Sequence, residues 1–182
     1  MTATTHLVAA LAVTAAAIAT AFALPVPAQA MTITIAGDGD RIVGSGHVTD
    51  TQRKLAPFTT LRIEGPVDVD AHPGANPGVT IHADDNIEPL IETVVEGNDL
   101  VVRLRHGTSF RTSHNMKVDI EFSALTATTQ HGSGDLHIHS INSPKLDSRI
   151  AGSGDLQVDG AQLGSFSLSI AGSGDAKIDG RA

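Results

Sequence analysis

Residues 131–140 read HGSGDLHIHS, and near copies follow as AGSGDLQVDG at 151–160 and AGSGDAKIDG at 171–180. Gly-Ser-Gly-Asp thus returns every twenty residues. At that offset Gly132, Gly152 and Gly172 share a column, as do Asp135, Asp155 and Asp175. Leu136, Leu156 and Ala176 fill the next apolar column, followed by Ile138, Val158 and Ile178. The second half of the period matches too, with Leu146 over Phe166 and Ile150 over Ile170. A fixed period near twenty, with two short strands in each repeat, is the mark of a stacked solenoid. One coil is too small to bury its own apolar row, so neighbouring coils must bury their rows together.

The tetrapeptide fits the corner of such a coil. Glycine reaches positive φ without a Cβ clash, so two glycines can bend the chain sharply between strands. Aspartate can accept hydrogen bonds from nearby backbone N–H groups, as in an Asx turn. Gly132, Gly134, Asp135, Gly152, Gly154, Asp155, Gly172, Gly174 and Asp175 are therefore expected as structural corners. Stacked carboxylates ~4.8 Å apart repel by roughly 0.9 kcal/mol in water-like dielectric. A charge-assisted hydrogen bond to each returns about 1.5–3 kcal/mol, so the ladder needs no ion. Calcium wants about six to eight oxygens, and one carboxylate per coil is a thin supply.

Upstream, TSHNMKVDIEF at 112–122 reads as a degenerate first coil, with Asn115 in the Asp column and Met116 and Val118 in the apolar columns. Residues 58–104 read as short strands. TLRIEG (60–65), VDVDA (67–71) and VTIHA (79–83) alternate apolar and polar residues between Gly and Pro. HPGANPG (72–78) is a turn, and DDNIEPLIE (84–92) has room for one helical turn limited by Pro89. ETVVEGNDLVVRL (92–104) predicts a hairpin bent at Glu96-Gly97-Asn98-Asp99. The expected class is all-β: a solenoid-like stack preceded by an irregular strand and hairpin region, without a long helix.

Residues 1–30 are apolar, lack Asp, Glu, Lys and Arg, and end in Ala28-Gln29-Ala30. This predicts a signal peptide, then a lead-in at 31–54 and a single β domain at 55–182. No later segment is apolar and long enough to span a membrane as a helix. The chain has no cysteine, so packing and backbone pairing must hold it without disulfides. Its formal net charge of −8 disfavours nucleic acid and anionic membrane surfaces as partners. Trp and Tyr are absent, which weakens a lectin or glycosidase reading.

Two candidate chemistries remain in the side chains. His137 and His139 stand at i and i+2, facing outward if Leu136 and Ile138 face in, and Asp159 falls beside His139. Such a pair can hold zinc or copper when a further ligand converges. His47, His72, His82, His106 and His114 look scattered and exposed. The second chemistry, catalysis, finds no constellation. The corner serines lack the Gly-x-Ser-x-Gly elbow and an adjacent repeated His, and no phosphate loop follows Gly44-Ser45-Gly46. No catalytic residue and no cofactor are expected.

Three ordered blocks carry a family resemblance: GSGHVTDTQRKLAPFTTLRIEGPVDVDAHPG (44–74), DDNIEPLIETVVEGNDLVVRL (84–104) and the serial GSGD coils. Together they resemble the head GIN domain family, exported bacterial proteins labelled as auto-transporter adhesins. The resemblance implies an all-β, solenoid-like fold and supplies no catalytic residues. Family members usually continue through further coils, whereas this chain stops at Ala182. The expectation is a truncated stack or an end covered by another chain, with end-to-end self-association through the last strand. The function implied is exported and non-catalytic, in periplasm, cell surface or medium. Its role would be structural, adhesive or ligand-binding, toward an envelope protein or polysaccharide. The alternatives are a carbohydrate-active enzyme on a β-helix and a metal-binding envelope protein.

Overall fold

The computed structural model describes residues 41–181; the expected leader at 1–30 and residues 31–40 of the lead-in lie outside them. In chain order the strands are β1 (Arg41–Val43), β2 (Val48–Lys54), β3 (Thr60–Gly65), β4 (Asp68–Pro73), β5 (Gly78–Asp84), β6 (Ile91–Glu96), β7 (Asp99–Leu104), β8 (Ser109–Arg111), β9 (Lys117–Phe122), β10 (Ala127–Gly132), β11 (Leu136–Ser143), β12 (Leu146–Gly152), β13 (Leu156–Leu163), β14 (Phe166–Gly172) and β15 (Ala176–Arg181). Among the described residues the only helical element is the 3-10 turn Glu88–Leu90, which Pro89 opens and shortens.

Two sheets carry the structure. One runs β14-β12-β10-β3-β7-β6 and the other β15-β13-β11-β4-β9-β5-β2, while β1 and β8 pair separately. Period-two alternation turns Leu61 and Ile63, Leu136 and Ile138, and Leu156 and Val158 inward, and all are buried in one shared core. Parallel pairing sets like on like: Leu136 lies beside Leu156, Ile138 beside Val158, and Leu146 beside Phe166. The hairpin β6–β7 turns through Gly97, whose φ of +65 suits a primed two-residue turn.

The stack does not follow chain order. Residues 112–122 were expected beneath the first repeat with Asn115 in the Asp column, and the pairing corrects both points. β11 lies against β4, and β4 against β9, so the earlier coil at 60–73 comes between. Leu136 aligns with Val69 and Val69 with Val118, which puts Lys117, opposite Asp68, in the Asp column. The reason lies in the corner. Gly132 sits beside Gly65, and a Cβ on Gly132 would strike the Gly65 backbone. EGPVD at 64–68 therefore offers the glycine and the aspartate that the first repeat needs, and residues 112–122 offer neither in register.

The ends of the stack differ. At one end β6, β5 and β2 run antiparallel to their neighbours and close over β7 and β9. At the other, Leu168 and Ile170 of β14 are 37% and 41% exposed. The interior also holds a polar step. β10 contributes Thr128 and Gln130 to the core, and Thr128 donates to the Ser148 hydroxyl at 2.9 Å. Gln130 donates to the Asp155 carbonyl at 3.0 Å, while its own Oε1 is buried without a partner.

Candidate functional site

The corner glycines do two different jobs. Gly132, Gly152 and Gly172 have φ of +132, +145 and +147, where a side chain is strained. These three also lie against the backbone of the neighbouring coil, and Gly134, Gly154 and Gly174 serve that close approach alone, since a Cβ there would meet the carbonyls of Val67, Gly134 and Gly154. The aspartates tie coil to coil. Asp135 N–H donates to Asp68 at 3.1 Å, Asp155 N–H to Asp135 at 2.9 Å, and Asp175 N–H to Asp155 at 2.8 Å. The carboxylates thus reach along the stack rather than into a local Asx turn. A second bend column went unread: Ser140 and Gly160 lie together with positive φ, while Gly180, also at positive φ, is shifted to face Ala161. Its first member is Ser rather than Gly, and this hides it from a motif search.

The outer face of the seven-stranded sheet collects the ionisable side chains. Alternation sends Asp70, Lys117, Asp119, His137, His139 and Asp159 outward while their neighbours fill the core. They bond to one another across strands. His82 on β5 lies between Asp50 of β2 and Asp119 of β9, 2.6 Å from each. Lys117 contacts Asp70 and stands 3.3 Å from Asp119. Asp70 Oδ1 lies 3.2 Å from His139 Nε2 and 3.4 Å from His137 Nδ1. His137 Nε2 meets Asp159 at 2.5 Å, and Gln157 donates to the same carboxylate. A row of alternating charge therefore crosses six strands.

Electrostatics follow the geometry. Burial works against the charge on His82, but its two carboxylate partners outweigh that, and its pKa is raised. Burial would raise the Asp70 carboxyl, yet Lys117 and His139 hold it below its usual range. His137 and then Gln157 lower Asp159. Of the histidines expected to be scattered, two are engaged: His82 as above, and His114, whose Nδ1 lies 3.2 Å from the buried Asp84.

His137 and His139 do come together, with ring centroids 3.7 Å apart. The carboxylate that closes the group is Asp70. Asp70, His137 and His139 each offer a ligand atom, all within 4.8 Å of one another. Asp159 does pair in register with His139, as expected, but its carboxylate reaches His137 Nε2. Asp70 could not be read beside His137 by a twenty-residue offset, because it lies 67 residues upstream on β4. A groove of about 240 Å³, lined by Asp68, Asp70, Asn115, Lys117, Asp135 and His137 among others, opens beside the group.

A hydroxyl, a carboxylate and an imidazole also meet at Thr112, Asp84 and His114. Thr112 donates to Asp84 at 2.6 Å, and its oxygen accepts from the His114 backbone N–H at 3.0 Å. The hydroxyl proton thus goes to the carboxylate, whereas in a nucleophile–base pair it faces the imidazole.

A family model described as "Putative auto-transporter adhesin, head GIN domain" matches residues 57–182. Among solved structures, an adhesin-titled protein of Parabacteroides distasonis is 18% identical, with a TM-score of 0.61 over 78% of this chain and 69% of that one. A protein of the same organism titled as lipid-binding is 21% identical, with a TM-score of 0.60 over 77% and 69%. An adhesin-titled protein of Bacteroides fragilis is 16% identical, with a TM-score of 0.51 over 76% and 100%. At these identities the likeness is one of fold. No functionally curated protein matches the chain.

Proposed function

The chain belongs to the head GIN domain family, and from that premise we propose that it is an exported, non-catalytic binding module of the cell envelope. Its coils form a short solenoid, and the charged face of the seven-stranded sheet is its contact surface. One observation carries this reading: Asp50, His82, Asp119, Lys117, Asp70, His139, His137 and Asp159 are linked across six strands. Side chains already held by one another lose little freedom on docking, which favours a broad, pre-organised polar contact. The same linkage argues against the enzyme alternative. The row separates its carboxylates by Lys and His, whereas glycoside hydrolysis uses two carboxyl groups facing each other across the scissile bond.

The partner class is an envelope protein or polysaccharide. The test compares retention of the protein on immobilised envelope material before and after protease or periodate treatment. A face variant, Lys117→Ser with His139→Ser and Asp159→Ser, is expected to lose retention. A control on the outer face of the other sheet, Arg62→Ser with Arg149→Ser, is expected to keep it. Equal retention by all three proteins would overturn the assignment of the face. Anionic vesicles should not retain the protein, whose formal net charge is −8.

A further inference from the structure

We propose that Asp70, His137 and His139 form a site for a borderline divalent transition ion of the zinc class. The site is independent of the contact role given to the whole face. The ligand types fit, since two imidazoles and one carboxylate on an open face leave a position for water or a partner's donor. The spacing fits as well. A tetrahedral ion with bonds of ~2.1 Å sets its ligand atoms roughly 3.4 Å apart. Asp70 Oδ1 stands 3.4 Å from His137 Nδ1 and 3.2 Å from His139 Nε2. The third edge closes by turning the His139 ring, whose side chain is 47% exposed.

The hydrogen-bond accounting points the same way. His137 faces a carboxylate at each ring nitrogen, Asp159 at Nε2 and Asp70 at Nδ1. If Nε2–H donates to Asp159, Nδ1 is left with its lone pair 3.4 Å from the Asp70 carboxylate and without a hydrogen bond to it. A metal ion bound to both would relieve that approach. His139 aims its Nε2 at that same oxygen, so two imidazoles and one carboxylate converge on a single point. His82 also has a carboxylate at each ring nitrogen, but there each carboxylate meets a single imidazole, whereas Asp70 Oδ1 is shared by two.

The surroundings complete the site. Asp159 holds His137 in the tautomer that frees Nδ1, the carboxylate–histidine–metal arrangement. Lys117 takes the other oxygen of Asp70 and fixes its rotation. Asp70, Asp119 and Asp159 outnumber Lys117 locally, so a divalent cation is favoured. Calcium is not, because so few oxygens are on offer.

Titration calorimetry of the protein with zinc, in a buffer that does not chelate, tests this. One equivalent is expected, with proton release. His137→Ala, His139→Ala and Asp70→Asn should each weaken binding at least tenfold, and Asp159→Asn about tenfold through its hold on His137. Lys117→Met should tighten binding several-fold by removing a competing cation, a result that adventitious surface binding would not give. Far-UV circular dichroism establishes that each variant is folded; all of these side chains lie on the outer face. Unchanged affinity in both His137→Ala and His139→Ala would overturn the proposal. So would an equal loss in the distant control His106→Ala.

Discussion

The repeated coils at 132–181 and the irregular half at 57–122 reach the same columns by different routes. In the corner and inward columns of the repeats a residue stacks on its own kind: Gly on Gly, Asp on Asp, an apolar residue on an apolar one. In the irregular half the columns hold Val69 and Val118 where Leu136 stands, and Asp68 and Lys117 where Asp135 stands. What is shared is therefore a set of geometric demands rather than a motif. The inward position must be apolar, the corner must admit a close backbone, and the amide at the head of the strand must find an acceptor. Repetition meets all three at once, whereas the irregular half meets them one at a time.

The sharpest way to break this comparison is at the corner. Gly152 has positive φ, and a Cβ there would strike the Gly132 carbonyl. Gly65 also has positive φ, but the nearest atom to a Cβ is Leu104 Cδ1, 4.0 Å away. Gly152→Val should cost at least ~4 kcal/mol and Gly65→Val about 2 kcal/mol, measured by urea unfolding. Equal costs would mean that backbone strain alone, not inter-coil contact, governs the corner.

Next in size is the apolar column. Ile138 is fully buried and Ile178 only partly so. Ile138→Ala should cost about 3 kcal/mol and Ile178→Ala about 1 kcal/mol. A smaller contrast lies in the aspartate ladder. Asp155 accepts from the Asp175 amide, while among the described residues no amide donates to the Asp175 carboxylate. Asp155→Ala should lose about 1 kcal/mol and Asp175→Ala less than about 0.5 kcal/mol, and calcium should change neither melting point by more than a degree or so.

The smallest effect should appear in pH. His82 joins the closing strands β2 and β5 to β9, facing Asp50, Asp119 and Lys117. Its pKa is raised in the fold, so protonation favours the folded state. That stabilisation is complete below the ordinary imidazole value of about 6.5 and fades as pH rises through the raised value. Urea midpoints taken from about pH 6 to pH 8 should fall in the natural chain and flatten in His82→Gln. An identical slope in the variant would place the pH dependence elsewhere.

These contrasts also mark what could be read beforehand. The strands at 60–65, 67–71 and 79–83, the hairpin bend at Gly97 and the corner glycines were legible because alternation and positive φ leave traces in single residues. The head GIN resemblance was legible because its blocks keep their order. Coil order left only a partial trace: Gly65 and Asp68 keep the spacing of Gly132 and Asp135, but Val67 stands where the second glycine would be and hides the match. The site suffered for the same reason. His137 and His139 share a strand and declare themselves, but Asp70 arrives from a coil that chain order places elsewhere. Thr128 and Gln130 were missed in another way: a polar pair facing inward gives no sequence signal until its partners are known.

The interposed coil at 60–73 has a consequence for how the chain assembles in time. It finds its neighbours on one edge in β7 and β9 and on the other in β10 and β11, all made after it. The first contacts of the stack therefore span long separations, as in the bond from Asp135 to Asp68 across 67 residues. Later coils are added across twenty residues, as in the bond from Asp155 to Asp135. Closing the long loops is slow, and adding coils to a finished template is fast. Folding should show one slow nucleation that engages both edges of residues 60–73, then rapid growth in the direction of β14 and β15. Pulse-labelling hydrogen exchange would see this as protection of β3 and β4 no later than β14 and β15; the opposite order would place the nucleus in the repeats.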